Sequence, residues 1–408
     1  MKNIVFFTGV QRFCRSVKDL GFEVAALAEP DENQSARTDL DYLVAYDPVN
    51  DTADLAGLAA VLKAWPHRDR VVAVLNRRER RVLEHAVLLA AFGLTGLNLN
   101  QAQVFRDKYL MRRTVDVGYP ELNGQFTTMA GPEASLDLDW PVALKPRNLF
   151  KSILIYKCRN RDELTSALTR FQEALPLAAR RHGVPIQETV LVETWLEGQE
   201  VALDSVVDGH GRVWPGLITD LKSGAALGHE DYHVYARISP TELSDQDQAA
   251  VKEVNAKVAA ALGIRNVALH SDIMVTPHGP KLVETGARIG GYRSEMAELT
   301  YGFSLDAANL SVCLGREPDL TPKFVRHTAV LEYFPPRPGQ LRAITGLDRI
   351  KELPSFYRVK QRMDLGAAVG LAGDGYRCPV FVILNHANRD VFKADLAAAE
   401  HLVKVEVA

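Results

Sequence analysis

The sequence has no apolar run of the roughly 18 residues that a membrane-spanning helix needs. Its N-terminus, MKNIVFFTG, has the pattern of a strand and turn and is too short and wrongly flanked for a signal peptide. The sequence also lacks an excess of charge of either sign, because 48 basic and 51 acidic residues leave a formal net charge of −3. This balance gives no electrostatic reason to expect nucleic acid or an anionic membrane as a partner. We therefore expect a soluble, cytoplasmic protein.

Cysteine pairs and zinc-ligand patterns are missing as well. The four cysteines (Cys14, Cys158, Cys313 and Cys378) are far apart and form no CxxC pair, which is typical of a reducing compartment. The 11 histidines contain no HExxH pattern, so nothing supports a transition-metal site. What remains is an ordinary globular composition, with 47% hydrophobic and 24% charged residues in a chain of 408. Such a length predicts about two to four domains.

Residues 1 to about 100 alternate short apolar runs with helical patterns. Strands are predicted at 4–7, 23–27, 43–46 and 71–75, and helices at 11–20, 54–64 and 78–92. This βαβ alternation predicts a parallel, doubly wound sheet. The first turn, Thr8-Gly9-Val10-Gln11-Arg12, lacks GxGxxG, so we interpret the domain as a scaffold that contributes a substrate wall. The Arg77–Arg81 cluster is interpreted as the solvated start of a helix.

The segment 267–293 carries the most informative acids. An apolar strand at 267–275 is followed by the turn formers Thr276-Pro277-His278-Gly279-Pro280 and a returning strand at 281–284. If Val275 pairs with Lys281, Asp272 lies opposite Glu284, roughly 5 Å away between Cβ atoms. Two such carboxylates repel unless a cation lies between them, and hard oxygen ligands suit Mg²⁺. The alternative is a solvated hairpin whose two acids face water.

Two other stretches have features of a nucleotide site. Lys145 ends a short buried strand just before an irregular loop, which suits a phosphate ligand, although lysines end many strands. In residues 190–206, an apolar and aromatic segment precedes Glu200, whose carboxylate could accept hydrogen bonds from ribose hydroxyls. The alternative is a plain hairpin with exposed acids. Residues 216–237, rich in Gly, His and Tyr, are predicted to form a long functional loop, and 294–313 a single helix.

Taken in order, these segments resemble the ATP-grasp superfamily of carboxylate–amine ligases. The matching segments, from about 106 to 315, are Asp107-Lys108, Pro141-Val142-Ala143-Leu144-Lys145-Pro146, Glu193-Thr194-Trp195-Leu196-Glu197-Gly198-Gln199-Glu200, His270-Ser271-Asp272 and Glu284-Thr285-Gly286-Ala287-Arg288. Each is weak alone, but five in the right order make a specific signal. The N-terminal α/β unit and the β-rich C-terminal region are most similar to the L-amino-acid (dipeptide) ligase branch.

The resemblance implies an α/β chain with the ATP-grasp fold. It would comprise a Rossmann-like domain (1–105), a lid and linker helix (106–205, the lid at about 125–195), a catalytic subdomain with a central antiparallel sheet (206–323) and a β-rich α+β region (324–408). It also implies a ligase that joins an amino acid or small carboxylate to an amine and releases ADP and phosphate. A thiol or carrier-protein acceptor, or an inactive ATP-binding module, are the alternative functions.

Residue roles follow from the same resemblance. ATP would be bound by Lys108, Lys145, Ser152, Glu193, Thr194, Trp195, Leu196 and Glu200. Asp272 and Glu284 would hold Mg²⁺, with two ions implied by the resemblance and Mn²⁺ as a substitute. Arg288, Lys145 and Ser152 would be catalytic, and the substrates would contact His270, Arg288, Gly290, Gly291 and Tyr292. Related ligases are commonly dimers, so a homodimer is one expectation, and the other partners would be small molecules.

The sequence departs from the family pattern at two places. The glycine-rich loop expected after Lys145 instead has the sequence Pro146-Arg147-Asn148-Leu149-Phe150-Lys151-Ser152. Fewer bare amides could then hold phosphate, and Arg147 or Lys151 would have to supply charge. Gly286 stands where relatives have an asparagine, which removes one oxygen ligand from the expected metal site.

Overall fold

The structure is a computed structural model that describes residues 2–9, 13–28, 39–46, 54–150, 152–229 and 231–408. Its N-terminal part is a four-stranded parallel sheet in the order β3-β2-β1-β4. The elements are β1 (Ile4–Phe7), α1 (Phe13–Asp19), β2 (Glu23–Ala28), β3 (Tyr42–Ala45), α2 (Leu55–Ala64), β4 (Val71–Leu75), α3 (Val82–Phe92), α4 (Leu99–Phe105) and α5 (Lys108–Gly118). All four residues of β1 are buried, as expected for a strand covered on both faces. The predicted doubly wound sheet is confirmed.

The helix predicted at 78–92 begins later than expected. A single 3-10 turn, Glu79–Arg81, precedes α3, and Arg81 is buried in an ion pair with Glu84 at 3.0 Å. The interpretation of the arginine cluster as a solvated helix start is therefore wrong. The segment follows β4, and the carboxyl end of a parallel strand faces the crevice where ligands bind. The helix predicted at 11–20 begins at Phe13, and its first two residues lie outside the described residues.

The second part is a four-stranded antiparallel sheet in the order β5-β8-β6-β7, covered by one long helix. Its elements are β5 (Phe126–Met129), β6 (Val142–Lys145), β7 (Tyr156–Cys158), α6 (Arg161–His182) and β8 (Val190–Thr194). Asn160 caps the start of α6 by accepting from the Glu163 amide, and Gly183 ends it in the left-handed conformation. The apolar face of α6 packs on this sheet, which has its own core and forms one wall of a cleft.

The third part is organised around an eight-stranded antiparallel sheet in the order β13-β12-β9-β10-β11-β14-β18-β16. Its first elements are β9 (Gln199–Val207), β10 (Val213–Ser223), β11 (Val234–Ser239), α7 (Asp245–Leu262), β12 (Val267–Thr276), β13 (Gly279–Gly286), α8 (Arg293–Tyr301) and α9 (Leu305–Cys313). The prediction of a long loop at 216–237 is wrong, because β10 and β11 occupy most of this segment. The single helix predicted at 294–313 is also wrong. Gly302 ends α8 at φ 76° and Ser304 caps α9.

The C-terminal part continues this sheet and adds a small three-stranded one. Its elements are β14 (His327–Tyr333), β15 (Gly339–Thr345), α10 (Leu347–Lys351), β16 (Phe356–Gln361), β17 (Ala368–Val369), β18 (Val380–His386), α11 (Arg389–Leu402) and β19 (Lys404–Val407). Because β14, β18 and β16 extend the central sheet, this part lies beside the cleft. In the part of the chain that the structure describes, no helix is both long and apolar enough to span a membrane.

Candidate active site

The β12–β13 hairpin brings the two predicted metal carboxylates together by a route that differs from the prediction. Val275 pairs with Pro280 rather than Lys281, so the predicted register is wrong by one residue near the turn. A bulge between Asp272 and Ile273 inserts Val283 as an extra residue and restores the pairing of Asp272 with Glu284. Both side chains line a shared cleft.

The two carboxylates have different partners. Glu284 forms an ion pair with the Lys108 ammonium group at 3.0 Å. The Asp272 Oδ1 atom is buried without a hydrogen bond, and the His270 Nε2 atom lies 3.4 Å from it. Burial raises the pKa of Asp272, and the Glu284 charge adds to this effect. An under-coordinated carboxylate beside a second one is the arrangement that a bound cation would stabilise.

Glu200 adds a third acid to this group. Its strand β9 pairs with β12 so that Met274 lies opposite Glu200 and Asp272 opposite Ala202, which leaves both acids on one face. Burial, together with the nearby Asp272 carboxylate, raises the pKa of Glu200. Among the described residues no cluster of three or more histidine, cysteine or acidic side chains could hold a metal ion by itself. This donor set instead fits Mg²⁺, which takes one or two carboxylates and completes its shell with phosphate and water.

A nucleotide-sized cavity of about 530 Å³ opens on one side of the hairpin, between the β5-β8-β6-β7 sheet, which we call the lid sheet, and the central eight-stranded sheet. We call this space the nucleotide cavity. The predicted ATP-binding residues that line it are Lys108, Lys145, Ser152, Glu193, Thr194, Trp195, Leu196 and Glu200. Strand β6 of the lid sheet supplies Lys145, the end of β8 and the turn after it supply the Glu193–Leu196 segment, and β9 supplies Glu200. The predicted set is thus brought together in one place.

Glu193 lies at the back of this cavity in a buried ion-pair network. Its carboxylate receives the Lys145 ammonium at 2.5 Å and the Arg112 guanidinium at 3.0 Å. Burial alone would raise the pKa of Glu193, but Arg112 and Lys145 outweigh burial and lower it to about 2. Burial also lowers the pKa of Lys145, an effect that Glu193 opposes. The Glu193 side chain therefore fixes the cavity lysine, a role that the sequence did not predict.

The glycine-poor loop after Lys145 is held by apolar anchors. Leu149 and Ile153 are buried in the lid core, while Ser152, at φ 56°, lines the cavity. Arg147 pairs with Asp107 and donates to Thr189 at 2.8 Å, and it does not line the cavity. The suggestion that Arg147 supplies charge to a phosphate is therefore wrong. Lys151, the other residue suggested, lies outside the described residues.

A second cavity, of about 960 Å³, opens on the other side of the hairpin, and we call it the substrate cavity. It shares Ser152, Glu200, Asp272 and Glu284 with the nucleotide cavity. Of the predicted substrate contacts, His270, Arg288, Gly291 and Tyr292 line it. The three acids therefore mark the junction of the two cavities.

Arg288 is fixed by a residue from the N-terminal domain. Its Nε donates to Glu79 Oε2 at 2.6 Å, and Arg106 lies 3.7 Å from the same carboxylate. Burial would lower the pKa of Arg288, but the Glu79 charge outweighs it and raises the pKa. A Cβ on Gly286 would lie 3.0 Å from Glu79 Oε2, so the absence of a side chain at position 286 leaves room for the Glu79–Arg288 pair. The only sequence signal for Glu79 was its position after β4.

His270 is fixed by Asp204, a fully buried acid that was not predicted from the sequence. Its Nδ1 lies 3.0 Å from Asp204 Oδ2, and the Arg293 Nε lies 3.4 Å from the same oxygen. The amide of Gly290 donates to Asp204 Oδ1 at 2.6 Å, and a Cβ on Gly290 would lie 2.7 Å from the His270 ring. Gly290 is thus needed for close approach to the ring and does not itself line the cavity. The available signal was an acid within the otherwise mostly apolar run Val201–Val207 on β9.

Tyr292 forms part of the substrate cavity wall. Its hydroxyl donates to Glu332 Oε1 at 2.6 Å, and the guanidinium groups of Arg237 and Arg362 lie 5.3 and 5.2 Å from its ring centroid. Burial, followed by the Glu332 charge, raises the pKa of Tyr292. The ring is therefore a neutral surface within cation–π distance of two guanidinium groups.

Comparisons with known proteins agree with this geometry. A model of the ATP-grasp domain matches residues 138–296, and a model of the L-amino acid ligase C-terminal domain 2 matches residues 333–408. The chain is 30% identical over 193 residues to dapdiamide A synthase of Enterobacter agglomerans, which covers 46% of this chain and 43% of that one. It is 24% identical over 269 residues to alanine–anticapsin ligase of Bacillus subtilis, covering 61% and 56%. The chain thus spans about half the length of these relatives.

Solved structures show the same fold over the whole chain. The crystal structure of an L-amino acid ligase from Bacillus licheniformis superposes with a TM-score of 0.79 at 18% identity, covering 100% of this chain and 99% of that one. A phosphoribosylglycinamide synthetase from Anaerococcus prevotii superposes at 0.71 with 16% identity, covering 100% of both chains. The predicted ATP-grasp fold is confirmed.

Proposed function

Because this chain combines an ATP-grasp domain with an L-amino acid ligase C-terminal domain, we propose that it is an ATP-dependent carboxylate–amine ligase. It joins an amino acid or small carboxylate to an amine and releases ADP and phosphate. One observation carries the proposal: Asp272 and Glu284 stand where the nucleotide and substrate cavities meet. Phosphoryl transfer between the two ligands would take place at that junction. The names of the two relatives, a synthase and a ligase, support the same reaction class.

ATP would lie in the nucleotide cavity with its phosphates toward the junction. Lys108 and Lys145 neutralise phosphate charge, Thr194, Trp195 and Leu196 flank the adenine, and Glu200 accepts from the ribose. Glu193 acts behind them by holding Lys145 through its 2.5 Å ion pair. The buried Asp272 oxygen that lacks a hydrogen bond and the adjacent Glu284 would hold two Mg²⁺ ions. Mn²⁺ could take the place of Mg²⁺. When bound, the metal would neutralise negative charge on the phosphates.

The reaction proceeds in two transfers. A carboxylate oxygen of the acid forms a bond to the γ-phosphorus as the bond to ADP breaks, and this gives an acyl phosphate. The amine nitrogen then attacks the acyl carbon, loses a proton and displaces phosphate, so that an amide is formed. Arg288, oriented by Glu79, stabilises the negative charge of the transferred phosphoryl group. The residues around the cleft also exclude water, which would otherwise hydrolyse the acyl phosphate.

The wider expectations belong to the same proposal. None of the four cysteines, all of which lie in the described part of the chain, forms a disulfide, which supports a reducing cytoplasmic location. Homodimer formation stays a prediction from the resemblance. The substrates are small molecules, and the substrate cavity of about 960 Å³ has room for an acid and an amine together.

The function is tested by incubating the full chain with ATP, Mg²⁺ and a pool of small acids and amines. Mass spectrometry should find a new amide in amounts equal to ADP and phosphate. A thioester product in a pool supplemented with thiols would instead favour the thiol-acceptor alternative. AMP as the stoichiometric product, or the absence of turnover with every acid and amine, would contradict the proposal.

A further inference from the structure

The substrate cavity has a large excess of positive charge. Among the described residues, nine arginines and five carboxylates line it. Three of these carboxylates, Glu200, Asp272 and Glu284, belong to the junction with the nucleotide cavity. The rest of the wall therefore combines nine guanidinium groups with only two acids, Glu79 and Glu332. Two of the arginines are paired with acids behind the wall, Arg77 with Asp306 at 2.8 Å and Arg293 with Asp204 at 3.4 Å, which leaves seven arginines in the wall beside Glu79 and Glu332.

Each of these two acids is already shared between two cations. The Glu332 carboxylate lies 3.0 Å from the Arg237 guanidinium and 3.6 Å from that of Arg362. Arg288 and Arg106 share Glu79 in the same way, at 2.6 and 3.7 Å. Glu332 also accepts from the Tyr292 hydroxyl. Neither acid is left to receive an ammonium group from a ligand.

This imbalance discriminates between classes of acid substrate. An amino acid brings an ammonium group into the cavity, where it would meet guanidinium groups and no uncommitted acid outside the junction. Burial of a cation beside like charges is unfavourable. A second carboxylate or a phosphate would find guanidinium donors, which bind such groups with two parallel hydrogen bonds.

We propose that the acid substrate carries a second anionic group, a carboxylate or a phosphate, that binds in the Arg237–Arg362 part of the cavity. The first carboxylate lies at the junction, where it is phosphorylated. Arg237 lies on β11 and Arg362 directly follows β16, and both flank the Tyr292 ring. The second group is therefore recognised jointly by the ATP-grasp domain and the C-terminal part of the chain. This inference rests on the proposed ligase function and narrows its substrate class.

Binding to the full chain tests the inference without knowledge of the amine. Isothermal titration would be carried out with Mg²⁺ and a non-hydrolysable ATP analogue present, using succinate, succinamate, 3-phosphonopropionate and L-alanine as probes. Succinate and succinamate have nearly the same shape and differ by one negative charge. We expect succinate to bind at least about tenfold more tightly than succinamate, since a hydrogen-bonded charge contributes on that order. Tighter binding of 3-phosphonopropionate than of succinate would identify phosphate as the second group, and weaker binding would identify carboxylate.

A matched pair of variants separates local recognition from net charge. Arg362→Gln removes one of the two cations on Glu332 and leaves Arg237 as its partner. Arg389→Gln is the control, because Glu242 on the surface is likewise shared by Arg389 at 2.7 Å and Lys393 at 2.6 Å. The preference for succinate should fall severalfold in Arg362→Gln and be retained in Arg389→Gln.

Three results would overturn the inference. These are equal binding of succinate and succinamate by the unaltered protein, tighter binding of L-alanine than of succinate, and an unchanged preference in a folded Arg362→Gln variant. Amide formation from ordinary amino acids together with the first or second result would reject this substrate class and leave the ligase function intact. The absence of ADP formation with every acid and amine would reject the ligase function itself.

Discussion

Asp272→Asn is the substitution that most sharply separates a metal ligand from a structural acid. The change preserves the shape of the side chain and removes its charge. Its Oδ1 has no hydrogen bond to lose, and burial together with the Glu284 charge raises the pKa of the carboxyl group. A carboxylate with a raised folded-state pKa destabilises the folded protein at neutral pH. The variant without Mg²⁺ should therefore be at least as stable as the unaltered protein.

Activity should respond in the opposite direction. A metal that neutralises the phosphates contributes several kcal/mol to the transition state. Loss of about 4 kcal/mol corresponds to about a thousandfold decrease in kcat. The assay is ADP release at saturating Mg²⁺, with the thermal midpoint Tm measured in EDTA on the same preparation.

Two further variants complete the comparison. Glu284→Gln should also lose activity, but its Tm should fall because the buried Lys108 ammonium loses its 3.0 Å ion pair. Asp220→Asn is the control, because burial raises the pKa of Asp220 too, yet this residue lies on β10 outside both cavities. Near-normal turnover by Asp272→Asn, or a decrease equal to that of Asp220→Asn, would refute the metal assignment.

Three other substitutions test separate parts of the site. Glu193→Gln should lower the free energy of unfolding at pH 7 by about 3 kcal/mol, because the folded-state pKa of about 2 lies below the usual 4.5. Denaturant titrations should show this difference above pH 4.5 and its loss as the pH falls toward 2; a pH-independent difference would contradict the ion-pair account. Tyr292→Ala should widen the range of acids accepted while the KM for ATP stays unchanged, and an unmoved preference would mean that Tyr292 only packs. Glu79→Gln should lower kcat about tenfold through misorientation of Arg288, with an unchanged KM for ATP, and Glu79→Asp should restore part of the loss.

The sequence predicted the local parts of the cleft better than the contacts between domains. The strand pattern of Pro141–Pro146 and the strand–turn–strand pattern around Glu193–Glu200 are local, and Ala143, Lys145, Pro146 and all of Glu193–Glu200 line the nucleotide cavity. The Asp272–Glu284 pairing was predicted from an incorrect register near the turn, and a bulge at Val283 restored it. Periodicity cannot locate such a bulge, because one extra residue changes the facing of every side chain beyond it.

Long-range partners account for what the sequence did not predict. Glu79 and Arg288 are 209 positions apart, and Arg112 and Glu193 are 81 apart, so no local pattern relates them. The Arg77–Arg81 cluster after β4 has the composition of a solvated helix start. Its ion pairs depend on its position beside the cleft, which composition does not reveal. The substrate cavity is likewise built from several domains, and its charge becomes visible only when they are assembled.

The central claim is that the acid is activated by transfer of the γ-phosphoryl group to its own carboxylate. The most direct test uses an acid substrate whose carboxylate oxygens are both labelled with oxygen-18, with unlabelled ATP and an amine. Mass spectrometry of the released phosphate should show one oxygen-18 atom for each amide formed, and ADP should carry none. Unlabelled phosphate, or label recovered in AMP, would contradict the account.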